Sequence, residues 1–323
     1  MRQPLAGRVV GALAAIAVAG GIAAVAVVLA DSDRAQMVTV TTGPSASPSG
    51  ASPSGASPPV ASDTHVLVGA GDIAGNGPGD SATAALLDGI PGTVYTLGDN
   101  VYDNGTTAEF NAYYDPTWGR HKARTKPSPG NHDYNTSGAT GYYGYFGSAA
   151  GDPARGYYSY DLGNWHIVVI NSNIARGVGS VQEKWLRADL AASTKPCSLA
   201  YWHHPRFTSG ADHAPDTSMA PVWQALYDFN AEVVLSGHNH QYERFAPQNP
   251  SGQLDTARGI REFVAGTGGQ SHYGFGTVQP NSEVRNGDTS GVLKLTLHSD
   301  SYDWQFVPVA GKTFTDTGTG ACH

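Results

Sequence analysis

Apolar residues in this chain fall into two kinds of run. Short β-branched and apolar stretches at 65–70, 93–97, 165–170, 197–202, 231–236, 260–265, 291–298 and 302–309 predict strands. Between them, 81–87, 107–118, 181–192 and 219–229 space their apolar positions for helices. Strand and helix alternate over the first part, and the last part is mostly strand. That order predicts a mixed α/β sandwich rather than one doubly wound sheet. The tyrosine-rich stretch 142–160 and the segment 268–289 read as loops. Most of the aromatics in the former are expected to pack, and some to line a mouth.

The amino-terminal pattern is different. Arg2 and Arg8 precede an uncharged run, 9–30, long enough to span a bilayer. The positive side is the amino end, so the remainder is expected outside the cytoplasm. A cleaved signal peptide ending at Val28-Leu29-Ala30 and a retained signal anchor both fit residues 1–40. Residues 41–62 are mostly Ser, Pro, Gly and Ala, with Ser-Pro-Ser-Gly-Ala at 47–51 and again at 52–56. Such a segment buries no apolar area and reads as a disordered tether ahead of one catalytic domain, 63–323. The expected place is therefore secreted or cell-surface, with membrane contact through the amino terminus if the run is not cleaved.

Composition removes some function classes. The formal charge is −8 over 323 residues, with no basic cluster, which argues against a nucleic-acid groove. The only cysteines are Cys197 and Cys322. In an exported chain they suggest one disulfide tying the carboxyl tail to the strand at 197–202, against the alternative of two thiols. Neither has soft ligands nearby, so a structural zinc site is not expected. No Gly-x-Ser-x-Gly elbow is present, which disfavours a serine hydrolase.

Chemistry gathers where predicted strands end. Asp72, Asp99 with Tyr102, Asn131 with His132, His203, and His238 with His240 all stand there. Gly98 lets the chain turn so that Asp99 projects from a strand terminus, where open α/β sheets place their sites. Aspartate and tyrosine offer hard oxygen ligands to a highly charged cation. In extended backbone, His238 and His240 would face the same way and reach one centre.

The ordered blocks Gly-Asp-Ile, Gly-Asp-Asn-Val-Tyr, Gly-Asn-His-Asp, Tyr-Trp-His and Gly-His-Asn-His resemble the five blocks of the calcineurin-like metallophosphoesterases. Tyr102 points within that superfamily to the purple acid phosphatase branch. So does Ala74, which stands where many relatives have a ligand histidine. The resemblance covers about 66–242. It implies an α/β (α+β) fold, a four-layer-type sandwich of two mixed β-sheets flanked by helices. It also implies two metal ions, one held by Asp72, Asp99, Tyr102 and His240 and the other by Asp99, Asn131, His203 and His238. Asp99 would bridge. The implied activity is metal-dependent hydrolysis of phosphate monoesters.

Charge supports that division independently. Two carboxylates, a phenolate and a bridging hydroxide carry four negative charges. A trivalent and a divalent ion together leave the site about +1 and attractive to phosphate. Phenolate is a hard donor, so Fe³⁺ is expected beside Tyr102, and Zn²⁺, Fe²⁺ or Mn²⁺ at the second site. A metal-bound hydroxide would attack phosphorus in line, with no protein nucleophile. His132 is the first candidate to protonate the leaving alkoxide, with Asp133 orienting it. His213 is the second, because purple acid phosphatases place an outer-sphere histidine similarly. His204 reads as structural. The glycine-rich stretch 266–276 reads as a surface loop rather than a phosphate cradle. The rival activities are a phosphodiesterase or nucleotidase on the same site, and a degenerate, surface-tethered binding protein.

Overall fold

The structure, a computed structural model, describes residues 64–323. The amino-terminal run and the Ser/Pro/Gly-rich stretch lie outside them. Among the described residues no helix is long and apolar enough to cross a membrane.

Thirteen strands form two mixed sheets. They are β1 His65–Ala70, β2 Thr93–Thr96, β3 Thr125–Lys126, β4 Tyr158–Leu162, β5 Trp165–Val169, β6 Cys197–Tyr201, β7 Val233–Ser236, β8 Tyr242–Phe245, β9 Arg261–Ala265, β10 Ser282–Asn286, β11 Gly291–Leu297, β12 Ser301–Pro308 and β13 Thr317–Ala321. The first sheet runs β13-β12-β11-β1-β2-β3 and the second β10-β8-β9-β7-β6-β5-β4. Parallel pairing joins β1, β2 and β3 along one side of the first sheet, and β5, β6, β7 and β9 in the middle of the second. The outer pairs are antiparallel hairpins or returns.

Strand alternation builds the layers. Leu67, Tyr95, Leu97, Leu293, Leu295 and Leu297 of the first sheet face Ile167, Val169, Leu199, Leu235 and Phe263 of the second, in one core. Val68, Val94 and Val292 point outward beneath Ala84 and Leu87 of α1 (Gly79–Asp88). Val168, Ala200 and Val234 point outward beneath Leu186 of α5 (Val181–Ala192) and Trp223 and Leu226 of α6 (Ala220–Asp228). Each fully buried side chain of this size contributes about 1.5–3 kcal/mol. Both strand faces are buried in the parallel centres, as helix-covered parallel strands require.

The sequence expectations fail in identifiable places. Residues 107–118 do not form one helix. A short α2 (Thr107–Glu109) passes into a π turn at Phe110–Tyr114, and a 3₁₀ segment begins at Trp118. Phe110, Tyr114 and Trp118 are buried there. The tyrosine-rich stretch is not a loop: it contains α4 (Thr140–Phe146), which buries Tyr142, Tyr143 and Phe146, and then β4. The segment 268–289 contains β10, which pairs with β8. Cys197 and Cys322 form a disulfide, and it ties β6 of the second sheet to the residue following β13 of the first.

Candidate metal centre

The carboxyl ends of the parallel strands deliver the predicted residues to one edge. Asp72 follows β1, Asp99 and Tyr102 follow β2, His203 follows β6, and His238 and His240 follow β7. Asn131 differs: β3 ends at Lys126, and Asn131 opens a short helix, α3 (Asn131–Asn135). Three of these residues hold left-handed backbone without being glycine: Asp72 (φ 60°), Asp99 (φ 47°) and His238 (φ 69°). Such conformations are uncommon and gather at functional sites. The motif glycines are needed by the side chains around them. Gly98 has φ 80°, and a Cβ there would stand 2.6 Å from His203 Nδ1. A Cβ at Gly237 would stand 2.8 Å from Asp72 Oδ2.

The expected residues converge as two neighbouring groups. In the first, Tyr102 Oη lies 2.9 Å from Asp72 Oδ1, 2.9 Å from Asp99 Oδ2 and 3.1 Å from His240 Nε2. In the second, His203 Nε2 lies 3.0 Å from Asn131 Oδ1, 3.0 Å from His238 Nδ1 and 3.3 Å from Asp99 Oδ2. Asp99 belongs to both. Asp72, Asp99 and His203 present ligand atoms within 4.8 Å of one another, and so do His203, His204 and His238. His238 and His240 do not face one way from an extended strand, as the sequence suggested. The turn at His238, with Asn239 N–H donating to Gly237 O and Gln241 N–H to Asn239 O, sends one imidazole to each group.

Electron pairs outnumber protons here. His203 Nδ1 donates to Leu97 O at 2.7 Å and His240 Nδ1 to Ser271 O at 2.8 Å. With Nδ1 so occupied, each ring directs Nε2 inward, where a cation would take the place of its proton. One phenolic proton stands among three acceptors. Asp72 is 0% and Asp99 1% exposed, and the side chains that touch them are Tyr102, His132, His203 and His240, with no Lys or Arg. Buried carboxylates demand positive partners. The donor set fits cations, with hard oxygens concentrated around Tyr102 and imidazoles around His203.

The titrations carry the same strain. Burial, then the charges of Asp72 and Asp99, hold the Tyr102 phenol well above its usual range. Burial opposes charge on His203, yet Asp99 pushes it up to about 9. Burial and the neighbouring His203, His204 and His213 hold His238 far below an ordinary histidine. Burial works against ionised Asp99, but His203 and His132 keep it low.

The expected catalytic residues occupy different places. His132 Nδ1 donates to Asp103 O at 2.7 Å, which leaves Nε2 3.9 Å from Asp99 Oδ2. Asp133 does not orient it. That carboxylate is fully buried and receives Gly130 N–H, Asn100 N–H and Asn100 Nδ2, because it caps the start of α3 from inside. Burial, then the charge of Asp99, raises Asp133 to about 7. His213 stacks on His238 with centroids 3.9 Å apart, so it reaches the centre. His204 Nδ1 meets Ser172 Oγ at 2.8 Å, in keeping with a structural role.

The stretch 266–276 is buried at its start, 266–268, and from 269 to 276 it is the half-buried to exposed loop that the sequence suggested. Gly266 N–H donates to Gln241 O, Gly268 N–H to Gly71 O and Gln270 N–H to Asp72 O. Ser271 O and the Tyr273 ring, stacked on His240 at 4.0 Å, complete a wall that the sequence did not announce. The only signal was glycine density, since backbone carbonyls have no residue type. A cavity of about 590 Å³ opens between this wall, the 75–80 turn and Tyr102.

The sequence profile of the calcineurin-like phosphoesterases matches residues 60–242, more than half the chain. This chain belongs to the calcineurin-like phosphoesterase family. Purple acid phosphatase 15 of Arabidopsis thaliana is 32% identical over 100 residues, which are 29% of this chain and 19% of that protein. The chain thus spans about a fifth of that relative's length. A purple acid phosphatase from yellow lupin, PPD1, superposes with a TM-score of 0.64 at 17% identity, over 81% of this chain and 54% of the lupin chain. GAP50 of Plasmodium, described as the anchor in the inner membrane complex, superposes with a TM-score of 0.63 at 11% identity, over 80% and 89%. Likeness at these identities establishes the fold: two mixed sheets flanked by helices.

Proposed function

We propose that this phosphoesterase hydrolyses phosphate monoesters outside the cytoplasm at a two-metal centre. The observation that carries the reading is the convergence of seven side chains of metal-ligand type around the shared Asp99. Asp72, Asp99, Tyr102 and His240 would hold iron(III), whose charge a phenolate suits. Asp99, Asn131, His203 and His238 would hold zinc, iron(II) or manganese(II). When bound, such a pair supplies Lewis acidity towards phosphate oxygens and a water of lowered pKa. The remaining work belongs to side chains. His132 directs Nε2 inward while Asp103 O holds Nδ1–H, so a proton taken up at Nε2 is aimed at the leaving oxygen. His213 covers the His238 side. The uncharged run at 9–30 supports export.

Metal analysis and a visible spectrum of the purified chain beginning at residue 63 test the centre. Two ions per chain and a visible absorption that Tyr102→Phe abolishes are expected. A colourless, fully metallated protein would remove the tyrosinate–iron assignment. Rates on para-nitrophenyl phosphate should exceed those on its bis-ester. The reverse order would make the chain a phosphodiesterase, and less than one ion per chain would favour a binding protein.

A further inference from the structure

His213 lies on a strap, 205–216, with no helix or strand before Thr217. Two buried carboxylates moor its first half. Glu262 accepts Arg206 N–H at 3.1 Å and Phe207 N–H at 2.9 Å, and Glu243 accepts Ser209 N–H at 2.7 Å and Ser209 Oγ–H at 2.5 Å. The strap also bridges to the wall: Ala211 N–H donates to Gly274 O and Gly276 N–H to Ser209 O. These contacts stop short of His213. The residue that reaches it is Asn239, which stands between the two histidines of the Gly-His-Asn-His block. Asn239 is fully buried, and its Nδ2 donates to His213 O at 3.0 Å and Thr208 Oγ1 at 3.2 Å. Its amide is packed flat against the strap, since a Cβ on Gly210 would overlap it.

The consequence is a paired arrangement. His238 is covered by His213 at 3.9 Å, His240 by Tyr273 at 4.0 Å, and the two covering rings meet edge to face at 5.6 Å. Among the described residues, Asn239 is the side chain hydrogen-bonded to His213 itself, and it stands on the turn bearing both covered rings. We infer that Asn239 is a positioning residue: its amide ties the His213 strap to the ligand turn and so fixes the His213 imidazole over the reaction centre. The inference rests on the proposed phosphatase reading for its kinetic consequence, but not for the tether itself.

Asn239→Asp is nearly isosteric and replaces the donor to His213 O with an acceptor, so that contact is lost even if the Thr208 hydroxyl turns to donate. Hydrogen–deuterium exchange reads the tether directly. Amides of 206–213 should exchange faster in Asn239→Asp, while those of Val181–Ala192 stay as in the wild type. Unchanged exchange over 206–213 would overturn the inference, and so would faster exchange everywhere. Kinetics read the role. Asn239→Asp should lower kcat by roughly 10- to 100-fold, a misplacement effect, with both metals retained. In the double variant with His213→Ala it should add nothing to the loss from His213→Ala alone. Additive losses, or loss of metal, would assign Asn239 to the ligand turn and end the positioning role. A wild type inert towards every phosphoester, with the expected exchange change, would sink the phosphatase reading and leave the tether standing. Asn239→Ser provides a check on fold, since it removes the reach without burying a charge and should show the same local exchange.

Discussion

Asp99 touches both halves of the centre, through Tyr102 on one side and His203 on the other. A shared ligand cannot be removed from one ion alone. Asp99→Ala should therefore abolish binding of both ions and nearly all turnover, and atomic absorption on the purified variant checks this. Retention of two ions per chain would refute the bridging role. His132 makes a contrasting case, because its imidazole approaches Asp99 without belonging to either donor group. His132→Ala should keep full metal content and lose roughly 10²–10⁴ in kcat. Steady-state kinetics on the metallated variant decide it, and wild-type turnover would exclude proton transfer by this residue.

At the scale of elements, the centre depends on strand ends and not on strand length. Cys197 begins β6 and His203 lies just beyond its end, so the disulfide and the candidate ligands sit at opposite termini of one strand. The crosslink closes a sequence separation of 125 residues. Cys322→Ser should lower stability by about 2–5 kcal/mol while leaving turnover of the folded protein unchanged. Denaturant titration beside an activity assay separates the two, and a drop in kcat would show that the crosslink acts through the site.

The same scale explains what the residues disclosed in advance. Eight strands were legible from apolar runs buried on both faces or, as in β12, from strict alternation, and most ligands were legible because they stand within a few residues of such a strand's end. The missing strands carry no such pattern. β8 is Tyr-Glu-Arg-Phe, and Glu243 is fully buried, a charge where a core residue is expected, because it serves the His213 strap. β13 is Thr-Gly-Thr-Gly-Ala and is held by backbone pairing to β12. α4 hides behind two glycines in seven residues, and its tyrosines are kept helical by packing rather than propensity. Asp133 misled by adjacency: next to His132 in the chain, it accepts from Gly130 and Asn100 at the start of its own helix and not from the imidazole.

For the molecule as a whole, buried glutamates set the response to pH. Burial raises both Glu232 and Glu262 from 4.5 to about 8, against hydrogen bonds that favour the charged forms. The folded protein thus keeps protons that the unfolded chain has already lost. The contribution of these two groups to stability is greatest near or below the ordinary glutamate value and is lost as pH rises towards about 8. The Tm of the metal-free protein should fall by on the order of 5 °C between about pH 5 and 8. The fall should be smaller in Glu232→Gln/Glu262→Gln. Equal slopes in the two proteins, measured by calorimetry, would show that other groups control it.

The disulfide joins one sheet to the other, and so does the candidate centre, because Asp72, Asp99 and Asn131 issue from the first sheet and His203, His238 and His240 from the second. The disulfide ties the two sheets at one rim and the candidate ligands face one another across them at the other, on either side of the shared core.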